Sequence, residues 1–219
     1  MAVEKDILKN FGGTSANNLN DVLKSFEDSE DEIHTFSHSS YHAMNDLDSL
    51  KTSSKDTFNV LSLNIQSIHA KFDEFKTLLS VFNESDINFG AIALQETWLS
   101  ENHDTSLLHI PGYNLINQEK RCCGHGGLII YLQDSYTYSV RDLQVSSDNF
   151  EGLFVDIKKD NIKKKFTLCN IYRPPKRNNC NQVIESFISE IRPIVEILDK
   201  ENSHILFTGD FNIDLLKIN

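Results

Sequence analysis

Cysteine is scarce in this sequence, with four in 219 residues (Cys122, Cys123, Cys169 and Cys180). So few in a chain of this length exclude the disulfide framework of a small secreted domain. Cys122 and Cys123 with His125 hint at zinc, but a vicinal pair cannot replace a C-x-x-C knuckle, and no second pair exists. No apolar run reaches the roughly 18 residues of a membrane span. No basic-then-apolar leader is present either, which excludes a secretion signal. An intracellular protein without a membrane partner is therefore expected. The nine glycines form no phosphate-binding loop after the first strand, which excludes a dinucleotide-binding fold and gives no sign of a small-molecule cofactor. Positive charge is also short. A net charge of −11 argues mildly against nucleic acid, whose binding draws on basic patches.

These deficits are unevenly distributed. Residues 1–57 hold five Lys against eleven Asp and Glu, nine Ser and few large apolar side chains. Such a segment cannot bury enough apolar surface to offset ordering entropy, so it is expected to be an acidic, poorly ordered leader. Residues 58–219 carry nearly all the long apolar runs. Within them, Asp156 to Asn179 concentrate eight Lys and Arg against two Asp. That stretch is either a solvated face or a nucleic-acid contact.

From Phe58 onward the patterns become regular. "FNVLSLNI" alternates and is β-rich, a strand ending at Asn64. In "AKFDEFKTLLSVFNES", Phe72, Phe75, Leu78, Leu79 and Phe82 recur at intervals of three and four, which predicts an amphipathic helix. "NFGAIAL" is a continuous apolar run, as in a strand covered on both faces. "PGYNLINQ", "GGLIIYLQ" and "TYSVRDLQV" read as further strands. "FEGLFVDI" and "KKFTLCNIY" form a hairpin with its turn at Asp160-Asn161. A long helix follows over "NQVIESFISEIRPIVEILDKEN". Val183, Ile184, Phe187, Ile188, Ile191, Val195 and Leu198 mark its buried face, and Pro193 should kink or split it. "HILFTGDF" closes as a buried strand. Strands with two covering helices predict an α/β layered sandwich, and the antiparallel character of several strands excludes a simple doubly wound sheet.

Four motifs place polar groups where apolar strands leave the core: "LSLNIQS", "ALQETW", "NIYRPP" and "TGDFN". The groups are Asn64, Glu96, Tyr172 and the pair Asp210 with Asn212. A carboxylate just outside a buried strand suits a hard cation such as Mg²⁺, which takes one or two protein carboxylates and keeps water and substrate phosphate for its other positions. Singly, most of these groups have plainer readings: a turn-forming Asn, a packed Tyr, a helix-start Glu. Their joint occurrence at four strand ends is harder to explain that way.

In this order, "LNIQS … QETW … GHGGLIIY … NIYRPP … TGDFN" resembles the endonuclease/exonuclease/phosphatase superfamily, which includes pancreatic-type deoxyribonucleases and apurinic/apyrimidinic endonucleases. More narrowly, "FNVLSLNIQSIHAKFDEFKTLL", "IALQETWLS" and "NIYRPP" resemble the endonuclease domain of non-LTR (LINE-type) retrotransposon polyproteins. The likeness runs from Phe58 to Asn219. It implies two mixed β-sheets packed face to face between helices, with the site at one end. It also implies that Glu96 binds Mg²⁺ (or Mn²⁺) with Asn64 beside it, and that Asp210 orients and helps deprotonate the attacking water. Asn212 and the Tyr172 hydroxyl would donate to phosphate oxygens. Arg173, Lys176 and Arg177 would supply affinity for the DNA backbone, and target DNA implies the nucleus.

The sequence departs from the superfamily at its end. Relatives finish with a strand carrying Ser-Asp-His, preceded by another Asp-bearing motif, and neither is found in these 219 residues. His69, His103, His109 and His204 read as ordinary surface or packed residues, while His125 lies in the Gly-rich "CCGHGG" turn. The expectation is a domain incomplete at the C-terminus, with Mg²⁺-dependent phosphodiester hydrolysis that nicks target DNA in an impaired form. Two alternatives stand beside it: a non-catalytic fragment that keeps the fold, and a superfamily phosphatase acting on another phosphate ester.

Overall fold

The computed structural model describes Leu47 and residues 57–118, 125–143, 149–159, 165–175, 181–201 and 204–213, with 159 and 181–183 described by backbone alone. Eight strands and two long helices follow one another: β1 (Val60–Asn64), α1 (Ile68–Glu84), β2 (Ala91–Gln95), β3 (Tyr113–Gln118), β4 (Leu128–Gln133), β5 (Tyr136–Val140), β6 (Glu151–Lys159), β7 (Phe166–Tyr172), α2 (Asn181–Lys200) and β8 (His204–Asp210). A 3₁₀ turn at Thr105–Leu108 precedes β3.

The strands form two four-stranded sheets, ordered β1-β2-β4-β3 and β5-β6-β7-β8. Both are mixed. The β1–β2 and β7–β8 pairs are parallel, and the other pairs are antiparallel. This is the predicted layered sandwich, with α1 over the first sheet and α2 over the second.

Side-chain alternation along each strand builds the layers. Ile92 and Leu94 of β2, with Ile129 and Tyr131 of β4, face α1 and meet Phe75 and Phe82. Their neighbours Ala91 and Ala93, with Leu128, Ile130 and Leu132, face the second sheet and meet Leu153, Val155, Ile157 and Leu168. The other face of the second sheet, with Phe154, Cys169 and Ile171, packs on Phe187, Ile194 and Leu198 of α2. Because both sheets are covered on their outer faces, central strands such as β2 are buried at every position. That is why β2 reads as a continuous apolar run.

Four details differ from the sequence reading. Pro193 does not split α2, which runs from Asn181 to Lys200 through it. The proline is exposed, on the solvent side where helical hydrogen bonds are weakest, so its missing N–H is tolerated. Ile194 rather than Val195 is the fully buried residue of its turn. Strand β8 is only partly buried, because it pairs with β7 alone among the described strands. Finally, Leu47, within the segment read as leader, is buried in the α1 core cluster. The Asp160-Asn161 turn lies outside the described residues. Among those residues no helix is long and apolar enough to cross a membrane.

Candidate active site

The layer between the sheets changes character at one end. At that end β1, β2, β6, β7 and β8 each carry a polar group on the inward side: Asn64 after Ser62, Gln95 after Ala93, Glu151 before Leu153, Tyr172 after Asn170, and Asp210 after Thr208. The strand registers bring these ends level. Asn64 lies opposite Gln95 in the first sheet. In the second, Glu151, Tyr172 and Asp210 form one row across β6, β7 and β8.

Asn64 joins the two sheets at this end. Its Nδ2 donates to Glu96 Oε1 at 2.9 Å and to Asp210 Oδ2 at 2.7 Å. Its Oδ1 is buried and accepts no hydrogen bond. Glu96 itself follows β2, and simple alternation would turn it toward α1. Instead its backbone is left-handed (φ 52°), which ends the strand and brings the carboxylate to Asn64. Non-glycine residues adopt that conformation only where surrounding contacts hold it, at a cost of order 1 kcal/mol. Those contacts are visible. Ser67 N–H donates to Glu96 O, Ile68 N–H to Thr97 O, Thr97 N–H to Gly127 O and Trp98 N–H to Gly126 O. Gly127 has to be glycine, since it sits at φ 86° and a Cβ there would lie 2.6 Å from Thr97 Oγ1.

Tyr172 is almost fully buried. Burial raises the pKa of its phenol, reinforced by the charge of Glu96, a hydrogen bond to Glu96, and the charges of Asp210 and Glu151. Three carboxylates around one hydroxyl keep it protonated, and therefore a donor, at any ordinary pH. Asp210 is fixed from its own loop. Gly209 (φ 139°) lets β8 pass against β7, where a Cβ would fall 1.8 Å from Ile171 O. Beyond Asp210 the chain turns through Asn212 at φ 48°, whose N–H donates to Asp210 Oδ1 at 3.1 Å. One amide hydrogen of Asn212 donates to Arg173 O at 2.8 Å, leaving the other for a ligand.

Five of the predicted residues thus converge: Asn64, Glu96, Tyr172, Asp210 and Asn212. Arg173 is a correction. It is fully buried and its NH1 donates to Phe211 O at 3.0 Å and Asn212 O at 2.9 Å, with the guanidinium 6.0 Å from the Phe187 ring. The reason is topological: β7 and β8 are parallel neighbours, so the residue after Tyr172 faces the turn after Asp210. With no accessible surface, its guanidinium is not placed at the protein surface, where a DNA backbone would lie. Lys176 and Arg177 lie outside the described residues, as do Cys122 and Cys123. His125 is exposed, its ring edge-on to Trp98 at 5.4 Å. His69 and His103 pair on the surface.

Sequence reasoning missed Glu151, Gln95 and Asn170. Glu151 is buried and accepts from Gly127 N–H at 2.6 Å, so it braces the glycine turn behind Glu96. Its signal was a charged residue in line with the inward-facing Leu153, Val155 and Ile157. The residues present fit a hard cation. Two carboxylates, both held on the Asn64 amide, and the unpartnered Asn64 Oδ1 are all oxygen donors. Among the described residues no group of three or more His, Cys, Asp or Glu converges to hold a metal. Any ion here would therefore keep much of its water, a habit of Mg²⁺.

Residues 57–217 match the Endonuclease/Exonuclease/phosphatase family. No curated protein matches the chain. Among solved structures, the AP endonuclease LMAP from Leishmania major is similar at a TM-score of 0.53 and 17% identity, over 74% of this chain and 59% of that one. The human Nocturnin catalytic domain has a TM-score of 0.51 and 15% identity, over 71% of this chain and 64% of that one. Danio rerio TDP2 complexed with single-strand DNA product has a TM-score of 0.50 and 15% identity, over 71% and 60%. The chain thus spans less than two thirds of these three structures, and at such identities the likeness concerns the fold.

Proposed function

Since the chain belongs to the Endonuclease/Exonuclease/phosphatase family, we propose that its site serves Mg²⁺-dependent phosphodiester hydrolysis, and that its substrate is DNA. The observation that carries this reading is the single Asn64 amide held by the carboxylates of Glu96 and Asp210, one from each sheet. It makes a compact, oxygen-rich centre beside a protonated phenol. Glu96 and Asn64 Oδ1 would hold the ion, which when bound supplies a Lewis acid for a phosphoryl oxygen. Asp210, oriented by Asn64 and by the Asn212 backbone, would accept the proton of an attacking water. Tyr172 O–H, turning from Glu96 to the substrate, and the second amide hydrogen of Asn212 would donate to phosphate oxygens, where negative charge grows in the transition state.

DNA as the substrate class draws support from the DNA-bound TDP2 structure among the similar folds. The finer reading, a retrotransposon-type endonuclease nicking target DNA in the nucleus, rests on the sequence resemblance in "FNVLSLNIQS", "QETW" and "NIYRPP". Residues 1–219 contain no Ser-Asp-His, so this stretch taken by itself lacks one proton-transfer group that the sequence resemblance implies. Loss of one general acid–base partner typically costs ~10²–10⁴-fold in rate.

A plasmid-nicking assay tests the proposal. In Mg²⁺ the 219-residue chain is expected to nick supercoiled DNA weakly at best. Fusing a C-terminal segment bearing Ser-Asp-His from a family member should raise nicking, and Asp210→Ala should then abolish it. No gain from the fusion would count against phosphodiester hydrolysis at this site. Robust nicking that survives Asp210→Ala would overturn the proposed site.

A further inference from the structure

The reactive end is assembled from two sheets, and something must keep their ends level. Asn64 and Glu96 belong to the first, Tyr172, Asp210 and Asn212 to the second. The apolar side chains between the sheets attract without direction and would tolerate a small slide. One layer beneath the site, however, the interface holds a buried pair of amides, Gln95 of β2 and Asn170 of β7. Gln95 Nε2 donates to Asn170 Oδ1 at 2.6 Å. Asn170 Nδ2 crosses back to the first sheet and donates to Leu94 O at 3.0 Å and Ile129 O at 3.1 Å. Gln95 Nε2 is also within reach of Ser62 Oγ (3.3 Å) and Ala93 O (3.2 Å). Asn170 has no accessible surface, yet both its amide hydrogens and its oxygen are satisfied. All of its partners lie in the opposite sheet.

We propose that Asn170, with Gln95, is the positioning residue that sets the two sheets in register at the site. It thereby fixes Glu96, one residue after Gln95, against Tyr172, two residues after Asn170. The reading of this end as reactive is taken from the preceding section, but the positioning claim concerns geometry alone. Hydrogen bonds have narrow distance and angle requirements. A shift of about 1 Å between the sheets would break three of them at once and leave buried polar groups unpaired, each at substantial cost. An apolar pair in the same place would fill space without opposing that slide.

The test is whether the Asn64–Asp210 bond, which spans the sheets at the site, depends on Asn170. Its strength is read without metal, in EDTA, as the coupling between Asn64→Ala and Asp210→Ala in urea unfolding. In the otherwise unaltered chain a coupling of about tenfold in the folding equilibrium constant is expected. It should fall to near onefold in the Gln95→Met/Asn170→Leu background, where both amides are replaced together so that no orphan remains. Asn170→Ser serves where that pair does not fold. Leu168→Ala, an apolar loss at the same interface, should lower stability and leave the coupling intact. Retained coupling in the Asn170 variants, or equal loss in Leu168→Ala, would overturn the proposal. Mg²⁺ titration of the same variants should show affinity about tenfold weaker than the parent. A parent chain that binds no Mg²⁺ would count against the proposed function, whereas the coupling measured in EDTA decides the role of Asn170.

Discussion

Asn64 Nδ2 donates to Asp210 Oδ2 at 2.7 Å across 146 positions of sequence, and the same nitrogen donates to Glu96 Oε1. Two carboxylates from different sheets therefore meet on one neutral donor. Without it they would face each other as like charges with nothing between them. Asn64→Ala is accordingly expected to cost about 1–2 kcal/mol in metal-free urea unfolding. Added Mg²⁺ should stabilise this variant less than the parent, because Asn64 Oδ1 is one of the proposed ligands. A variant as stable as the parent in EDTA would show that the bridge contributes nothing.

Glu96→Ala should abolish Mg²⁺ binding measured by isothermal titration calorimetry, because the proposed site keeps few protein ligands and loses a charged one. Lys76→Ala, on the exposed side of α1 beside Asp73, should leave it unchanged. Equal binding by the Glu96 variant and the parent would remove the metal from this position.

Arg173 gives a prediction opposite to the one its place in "NIYRPP" suggests. Its guanidinium holds the carbonyls of Phe211 and Asn212, while Nε and NH2 are buried without partners, and burial lowers its pKa. Arg173→Ala should therefore destabilise the fold by about 3 kcal/mol, through lost charge-assisted bonds and a cavity. The salt dependence of any DNA binding by the folded fraction should not change, since that slope counts phosphate contacts. A slope reduced by about one would place the arginine back on the DNA.

The pH dependence of stability should carry a mark of Glu201. Its hydrogen bonds with Arg141 lie at 2.5 and 2.6 Å. These bonds hold its carboxyl down at about 2 from an ordinary 4.5, with Lys165 adding to the effect. A depressed carboxyl contributes stability that is present above pH 4.5 and is lost as the pH falls toward 2. Glu201→Gln should thus lower Tm modestly at pH 7, as befits a partly exposed network worth about 0.5–1 kcal/mol. The gap to the parent should close between pH 4.5 and 2. A constant gap across that window would assign the effect to packing instead.

Leu47, buried in the α1 core cluster, bears on where the domain begins. Removing residues 1–46 should leave Tm unchanged, as expected of an acidic leader. Removing residues 1–57 should lower it by a few degrees, because burying one leucine contributes about 2 kcal/mol. Matching melting curves for the two truncations would return the boundary to Phe58.

The elements themselves were legible along the chain. Periods of three and four around Phe75 and Phe82, and unbroken apolar runs such as "AIAL", depend on local packing demands that hold wherever the segment lies. The exceptions share one cause. Pro193 inside α2, the half-buried β8 and the buried Leu47 all depend on which face a neighbour covers, and a neighbour is not a property of the segment. The site was legible only as a set of strand ends. Asn64, Glu96, Tyr172, Asp210 and Asn212 each announce a polar group where a strand leaves the core, and the motif order ties them to one family.

What the sequence alone determined, then, was the supply of side chains: five oxygen-bearing groups at four strand ends, two covering helices, and alternation that sends one face of each strand inward. Tertiary structure decided their company. Parallel pairing of β7 with β8 turned Arg173 from a surface cation into a buried clamp on the turn after Asp210. Register across β6 and β7 brought Glu151, unremarkable in the sequence, level with Tyr172. The bond between Gln95 and Asn170 joins positions 75 residues apart. Local sequence sets a residue's conformation through steric and hydrogen-bonding preferences over a few neighbours. Which groups share a low-dielectric space, and so which charges and donors reach one another, is fixed only when the two sheets close over their common core.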